Sequence, residues 1–126
     1  MSDVLHLEKT VKAFNKRKFD EAVRQSAEGL AQAPGQDEVF WLGLHEACEG
    51  YDFLYREELP KAERKLVGAL QKLRTFGYRY NNFEVTTALA GIRLSVEEIR
   101  AVRARRKRIF DVSLLPQLKL AAKADD

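Results

Sequence analysis

The sequence holds a single cysteine, Cys48, among 126 residues. One cysteine excludes an internal disulfide and a zinc site built mainly from cysteines. No apolar run approaches the roughly 18 residues that a membrane-spanning helix requires, so we expect no membrane span. The first residues lack the basic start and apolar core of a secretory signal peptide, and together these absences predict a cytoplasmic protein.

Strand patterns are also missing, because apolar and polar residues never alternate for long and β-branched residues are sparse. Helical spacing recurs instead, and the chain is long enough for one domain with a modest core. The sequence therefore predicts an all-α, single-domain bundle of five or six helices over residues 1–120, in which residues 112–120 dock on the helices. Residues 121–126 are predicted to form a frayed tail. No internal repeat is strong enough to predict a solenoid.

The stretch from Glu38 to Leu59 is predicted to be the central helix of this bundle. It contains the only tryptophan, Trp41, and its apolar residues cover about half of the circumference of a helix. Such a wide apolar arc indicates contact with more than one neighbouring helix. Gly43 and Gly50 lie together at one edge of the arc, where they predict the close approach of another helix.

Turn and capping signals divide the rest of the chain. Asp3 is predicted to cap a first helix and Pro34-Gly35 to end a second. Pro60 suits the first turn of a fourth helix, for which Gly77 is a suitable stop. Residues 78–82 are expected to form a loop.

The last predicted helix rests on a capping signal. Residues 83–90 are expected to form a short helix that Gly91 closes. Ser95 and Glu98 then match the S-x-x-E capping box. This motif predicts that a new helix covers residues 96–110.

Charge is distributed unevenly along the chain. Residues 1–63 carry 8 Lys/Arg and 13 Asp/Glu, whereas residues 64–126 carry 14 Lys/Arg and 6 Asp/Glu. This asymmetry predicts either an acidic partner for the second half or packing of the two halves against each other, within one chain or across a dimer.

The strongest concentration of charge lies in the last predicted helix, whose six basic residues are Arg100, Arg103, Arg105, Arg106, Lys107 and Arg108. An exposed basic helix can neutralise the phosphates of a nucleic acid. Arg74, Arg79 and Arg93 could extend this patch, and Tyr78 and Tyr80 could stack on bases. The alternatives are a solvated helix that pairs with the acidic first half, or contact with a membrane surface.

The central helix carries a variant of the zinc-protease motif H-E-x-x-H, formed by His45, Glu46 and Glu49. The only other histidine, His6, belongs to the first helix. The alternative is a solvated polar stripe, in which Arg56 and His45 balance the carboxylates. We assign no metal ligand and no cofactor, and the three motif residues stay weak metal candidates.

Two family resemblances involve residues between about 10 and 76. The pattern Ala13-Phe-Asn-x-x-x-Phe19-Asp-Glu-Ala22, continuing to Leu30-x-x-x-Pro34, resembles one tetratricopeptide helix hairpin. A longer match combines Phe14-Asn15, Phe19-Asp20-Glu21-Ala22, Phe40-Trp41-Leu42-Gly43-Leu44, and Ala62 through Leu66 and Leu70. Over roughly residues 10–76 it resembles the small prokaryotic all-helical family called domain of unknown function 309.

This second resemblance implies an all-α bundle and no established activity. The polar His-Glu pair of that family falls on Val23 and Arg24 here, and its Ile-Gln pair falls on His45 and Glu46. These departures imply a divergent member of that family, in which the scaffold is retained and the polar pair is lost.

No glycine-rich phosphate loop, G-x-S-x-G motif or catalytic triad pattern occurs in the sequence. We therefore predict no catalytic residue and a non-enzymatic binding or scaffold module for another macromolecule, with a protein partner or self-association favoured. Two alternatives stay open. One is a nucleic-acid-binding accessory protein acting through helix 96–110, and the other is a metal-dependent enzyme using the His45, Glu46 and Glu49 stripe.

Overall fold

Five helices form the main part of the chain. The structure, a computed structural model, describes residues 2–121, with side chains from Val4 onward. The helices are α1 Ser2–Asn15, α2 Phe19–Gln32, α3 Asp37–Tyr55, α4 Leu59–Leu73 and α5 Val85–Arg103. The smaller elements are single 3-10 turns at Arg74–Phe76 and Val112–Leu114, and two strands, β1 Arg79–Tyr80 and β2 Phe83–Glu84. The predicted all-α fold is confirmed.

Helix α3 lies at the centre and packs against both α2 and α4, while α1 packs on α2 and α5 on α4. The side chains that form its core contacts are buried, among them Phe40, Trp41, Leu44 and Tyr51. The central position predicted for residues 38–59 is therefore confirmed. The helix nevertheless ends at Tyr55 rather than Leu59.

The two glycines of α3 lie where α4 comes close, as predicted. A Cβ on Gly50 would lie 2.5 Å from a side-chain carbon of Leu66, and one on Gly43 would lie 3.0 Å from Leu73. These distances leave no room for a methyl group at Gly50 without displacing α4.

Helices α1, α3 and α5 end with the same backbone turn. Arg17, Glu57 and Arg105 adopt φ values of 64°, 61° and 63°, in the left-handed region. In each turn the next residue donates its N–H to the carbonyl oxygen five positions earlier; these bonds join Lys18 to Ala13, Glu58 to Phe53 and Arg106 to Ala101. This is the Schellman motif, in which glycine is the usual left-handed residue. The hairpins α1–α2 and α3–α4 therefore share one turn geometry.

Helix α5 contradicts the prediction made from the capping box. It is continuous through Gly91 and Ser95, and it ends at Arg103 rather than at residue 110. Ser95 is fully buried within the helix, where it accepts a hydrogen bond from the Tyr51 hydroxyl at 2.7 Å. Its hydroxyl bonds the Gly91 carbonyl oxygen at 3.2 Å, so the side chain has no free capacity to cap a helix start.

A small hairpin occupies the stretch predicted to be a loop, so the expectation of no strand is wrong. Tyr80 pairs with Phe83, and Asn81 and Asn82 form the two-residue connection at φ values of 50° and 66°. Two successive positive φ values define a type I′ turn, which asparagine tolerates better than most residues.

The tail after α5 packs back over the bundle, as predicted. Leu115 and Leu118 are buried, and Leu120 bridges to Phe83 of β2. The backbone N–H of Ala121 bonds the Asn82 carbonyl oxygen at 2.6 Å, so this residue is held by the hairpin. The rest of the predicted frayed tail, residues 122–126, lies outside the described residues.

Among residues 2–121, no helix combines the length and the apolar content needed to cross a bilayer.

Candidate functional site

The polar stripe of α3 consists of ion pairs within the fold. Glu49 lies 3.1 Å from Lys65 of α4, and Glu46 lies 2.8 Å from Lys72. His45 Nε2 lies 3.6 Å from Glu49. In the part of the chain that the structure describes, no three His, Cys, Asp or Glu side chains converge as metal ligands. His6 bonds Gln25 of α2 instead of approaching the stripe.

The structure adds one residue to this stripe that the sequence did not indicate. Ser26 Oγ lies 2.9 Å from His45 Nδ1, so serine, histidine and Glu49 form a line that resembles a catalytic triad. Ser26 is fully buried, however, and its hydroxyl also bonds the Val23 carbonyl oxygen at 3.0 Å. A substrate has no access to this hydroxyl, and the contacts hold α2 against α3.

Cys48 lies beside the same line and is fully buried. Burial raises the pKa of its thiol to about 12, despite a hydrogen bond with Ser26 that acts in the opposite direction. The side chain is therefore a protonated thiol at neutral pH and packs as a small apolar group.

The six basic residues predicted to bind a partner fall into two groups. Arg100 and Arg103 each donate to Glu63 of α4 at 2.8 Å, and Lys107 donates to Glu98 at 2.8 Å. The remaining three are exposed and have no carboxylate within ion-pair distance among residues 4–121; they are Arg105, Arg106 and Arg108. Of these six basic residues, only Arg100 and Arg103 therefore pair with the described part of the acidic first half, as expected for this helix.

The pairing of α5 with α4 lowers the pKa of Glu63. The hydrogen bond from Arg100 is the main cause, burial of the carboxyl opposes it, and the hydrogen bond from Arg103 lowers the pKa further. Glu63 is thus the acceptor that fixes the end of α5 on α4.

Three exposed arginines are displayed on a loop that we call the basic loop, residues 104–112. Glu98, a buried residue of α5, accepts from Lys107 Nζ at 2.8 Å and from the backbone N–H of Asp111 at 3.0 Å. The hydrogen bond to Glu98 raises the pKa of Lys107. One carboxylate therefore fastens the middle and the far end of the loop to the helix.

Apolar side chains accompany the arginines of the basic loop. Ile109 is 77% exposed and Val112 is 68% exposed, whereas the aromatic Phe110 between them is partly buried. The basic loop therefore exposes two large aliphatic side chains within a few residues of its three arginines.

The basic surface continues onto α4 through a residue that the sequence analysis missed. Arg64 lines a shallow groove with Arg100 and Arg103, and Arg103 also lines the adjoining groove formed by Arg105 and Arg108. Arg64 is exposed. Only the tertiary packing of α4 on α5 brings it to this surface, and no local sequence signal indicates it.

The predicted extension of the basic patch toward the tyrosines does not occur. Tyr78 and Arg79 precede the start of α5, whereas the basic loop follows its end, about 27 Å away at the rise of a 19-residue helix. Arg79 pairs with Glu84 at 2.8 Å and lies over the Tyr78 ring. Tyr80 packs against Phe40, so its ring is not available for stacking on a base.

A second candidate surface lies at the hairpin end of the molecule, and we call it the N-terminal groove. Its volume is about 360 Å³. The apolar wall includes Val4, Leu7 and Leu120, and the polar rim includes Glu8, Asp37 and Asn82. Asp37 accepts a hydrogen bond from the Tyr80 hydroxyl. Among the residues that the structure describes, both charged groups that line this groove are acidic.

Comparison of the chain with protein-family models, with curated proteins and with solved structures gives no match. The two family resemblances stay predictions, and function is inferred from the geometry described above.

Proposed function

We propose that the protein is a non-enzymatic binding module that docks another protein through its basic loop. The observation that carries this proposal is the combination of three arginines without carboxylate partners, among the described residues, with the exposed Ile109 and Val112. Arginine is enriched at protein interfaces, where its fork binds carboxylates in a fixed geometry. The partner is accordingly a protein segment that carries both acidic and aliphatic side chains.

The order of the loop supports this function. Glu98 binds both Lys107 and the Asp111 backbone, and Asp111 in turn accepts from the Ser113 backbone N–H at 3.0 Å. A loop held in this way loses less conformational freedom on binding than a flexible one, which lowers the cost of association.

Nucleic acid is the second candidate, favoured by the continuity of the basic surface from Arg64 through Arg103 to Arg108. Single-stranded nucleic acids are usually bound with exposed aromatic rings beside the cations. The only aromatic residue of the basic loop, Phe110, is partly buried. The exposed aliphatic side chains of Ile109 and Val112 therefore favour a protein partner.

The two candidates differ in which substitutions weaken binding. Fluorescence anisotropy would be measured with a short labelled peptide of glutamate and leucine and with a short DNA duplex. Neutralising Arg105, Arg106 and Arg108 to Gln should abolish binding of either probe. Replacing Ile109 and Val112 with Ser should weaken only the peptide, because the duplex offers phosphates rather than apolar side chains to this loop.

A matched control neutralises three exposed basic residues elsewhere, with Lys12, Lys16 and Arg74 changed to Gln. It removes the same charge and should leave peptide binding unchanged. If the duplex binds and the serine substitutions leave the affinity for both probes unchanged, the partner is a nucleic acid rather than a protein. If neither probe binds at low salt, the proposed function fails.

A further inference from the structure

We infer that the partner of the basic loop is a second copy of this chain, whose N-terminal groove receives the loop. This inference rests on the proposed function and names the partner. The groove is acidic and partly apolar, and the loop is basic and partly apolar. The two surfaces therefore match in charge and in polarity.

The groove offers the contacts that the loop lacks. Its carboxylates, Glu8 and Asp37, can accept from guanidinium groups, and Glu8 is exposed. Val4, which is 55% exposed, and Leu120 supply apolar surface beside them. In the loop, Arg108 precedes Ile109, so one short segment carries both a cation and an exposed aliphatic side chain.

The groove of the same chain is out of reach. Asn82 of the groove belongs to the hairpin before α5, and the loop follows α5, so the length of the helix, about 27 Å, separates them. Docking therefore occurs between molecules, and a contact of two different surfaces is head-to-tail.

A loop entering a groove of this size buries little area, which predicts a weak and salt-sensitive association. Sedimentation velocity over a concentration series should show dimers or larger species of the full chain at low salt. The same series at high salt should show mainly monomer.

Charge exchange tests the pairing directly. The loop variant changes Arg105, Arg106 and Arg108 to Glu. The groove variant changes Glu8 to Lys and Asp37 to Asn, and it keeps the hydrogen-bonding capacity that Tyr80 requires. Each variant alone should associate at least about tenfold more weakly than the natural chain. An equal mixture should recover association, because the unchanged loop of the groove variant then meets the unchanged groove of the loop variant.

The Lys12, Lys16 and Arg74 to Gln variant serves as the control and should associate like the natural chain. Circular dichroism of each variant separates loss of binding from loss of folding. If the groove variant associates normally, the loop contacts another surface and the inference is overturned. It is also overturned if association appears only in a chain that ends at Ala121, because the terminal residues then occupy the groove.

Failure of the inference is distinguishable from failure of the proposed function. A natural chain that is monomeric at every concentration but still binds the glutamate–leucine peptide refutes the second copy and retains the protein-binding function. A chain that shows neither behaviour refutes both.

Discussion

Arg17 donates a hydrogen bond from Nη1 to the carbonyl oxygen of Pro116 at 2.7 Å, across 99 positions of the chain. Its Nη2 donates to the Leu115 carbonyl oxygen at 3.1 Å. The same residue forms the left-handed turn between α1 and α2. One side chain therefore links the first hairpin to the tail that closes the bundle.

The equivalent turn at Glu57 allows this link to be measured. Both residues carry the left-handed penalty of roughly 1 kcal/mol, which glycine avoids. Glu57 is exposed, and among residues 4–121 its carboxylate has no hydrogen bond or ion pair. Glu57→Gly should therefore raise the free energy of unfolding by up to about 1 kcal/mol. Arg17→Gly should lower it by about 2 kcal/mol, because the charge-assisted bonds to the tail are lost.

Urea denaturation of the two glycine variants provides the measurement. Equal shifts would mean that the guanidinium contacts add nothing to stability. An Arg17→Lys variant serves as a control, since it keeps the charge but loses the two-pronged geometry.

Gly50 and Gly68 are helix glycines at which an added Cβ would meet different neighbours, so alanine should affect stability differently at the two positions. A Cβ at Gly50 would lie 2.5 Å from Leu66 Cδ2 and 3.3 Å from the Leu66 backbone nitrogen. Gly50→Ala should destabilise the protein by about 1–3 kcal/mol. A Cβ at Gly68 meets the flexible end of Glu46 at 2.9 Å, which can move. Gly68→Ala should therefore be neutral or stabilising by up to about 1 kcal/mol, through helix propensity.

Thermal unfolding followed by circular dichroism separates these two substitutions. A Gly50→Ala protein as stable as the natural chain would show that α4 can shift away from α3 at little cost.

The fold class and the central helix could be predicted because helical periodicity is a local pattern. The position of Gly43 and Gly50 at one edge of the apolar arc is another. The ends of α3 and α5 could not be predicted, whereas Pro34, Pro60 and Gly77 lie at or beside the helix ends that they predict. Arg17, Glu57 and Arg105 are not the residues usually found in left-handed positions, and tertiary contacts or the Schellman bonds impose the conformation. The Asn81–Asn82 pair, by contrast, was a readable signal for a two-residue hairpin turn.

The capping box failed for a different reason. Ser95 and Glu98 have the spacing of a capping box, but both side chains have other partners. Ser95 accepts a hydrogen bond from the buried Tyr51 hydroxyl, and Glu98 accepts one from the loop backbone at Asp111. The clustering of the basic residues between Arg100 and Arg108 is visible in the sequence alone. Their division into paired residues and residues without a carboxylate partner, among those the structure describes, depends on Glu63 and Glu98. No sequence pattern specifies the distances of these carboxylates from the basic side chains.

The Glu63 contacts predict how stability depends on pH. Its pKa is lowered in the folded state, so its contribution is present above the pKa of the unfolded chain and is lost as pH falls through the folded value. Near neutral pH, Glu63→Gln should cost about 1 kcal/mol, as expected for an exposed arginine network. At a pH well below the ordinary carboxyl value of about 4.3, the two proteins should be nearly equally stable.

Urea titrations of the natural chain and Glu63→Gln at both pH values test this dependence. Glu97→Gln is a suitable control, because Glu97 is exposed and has no ion pair among the described residues. A difference that stays constant across the pH range would contradict the assignment to Glu63.

Glu98 positions the basic loop without forming part of its exposed surface. Glu98→Ala removes the acceptor of both Lys107 and the Asp111 N–H, so the loop should become disordered while the net charge rises by one. Binding driven by charge alone should then strengthen. Docking that needs an ordered loop should weaken severalfold, because the loop must be ordered again on association.

Glu97→Ala gives the same charge change at the neighbouring exposed position and is the matched control. Peptide anisotropy should report weaker binding for Glu98→Ala and equal or slightly tighter binding for Glu97→Ala. Hydrogen exchange at the Asp111 amide should accelerate only in the Glu98 variant, because its carboxylate is the acceptor of that N–H at 3.0 Å. Tighter binding by both variants would show that the arrangement of the loop is irrelevant and that its charge alone attracts the partner.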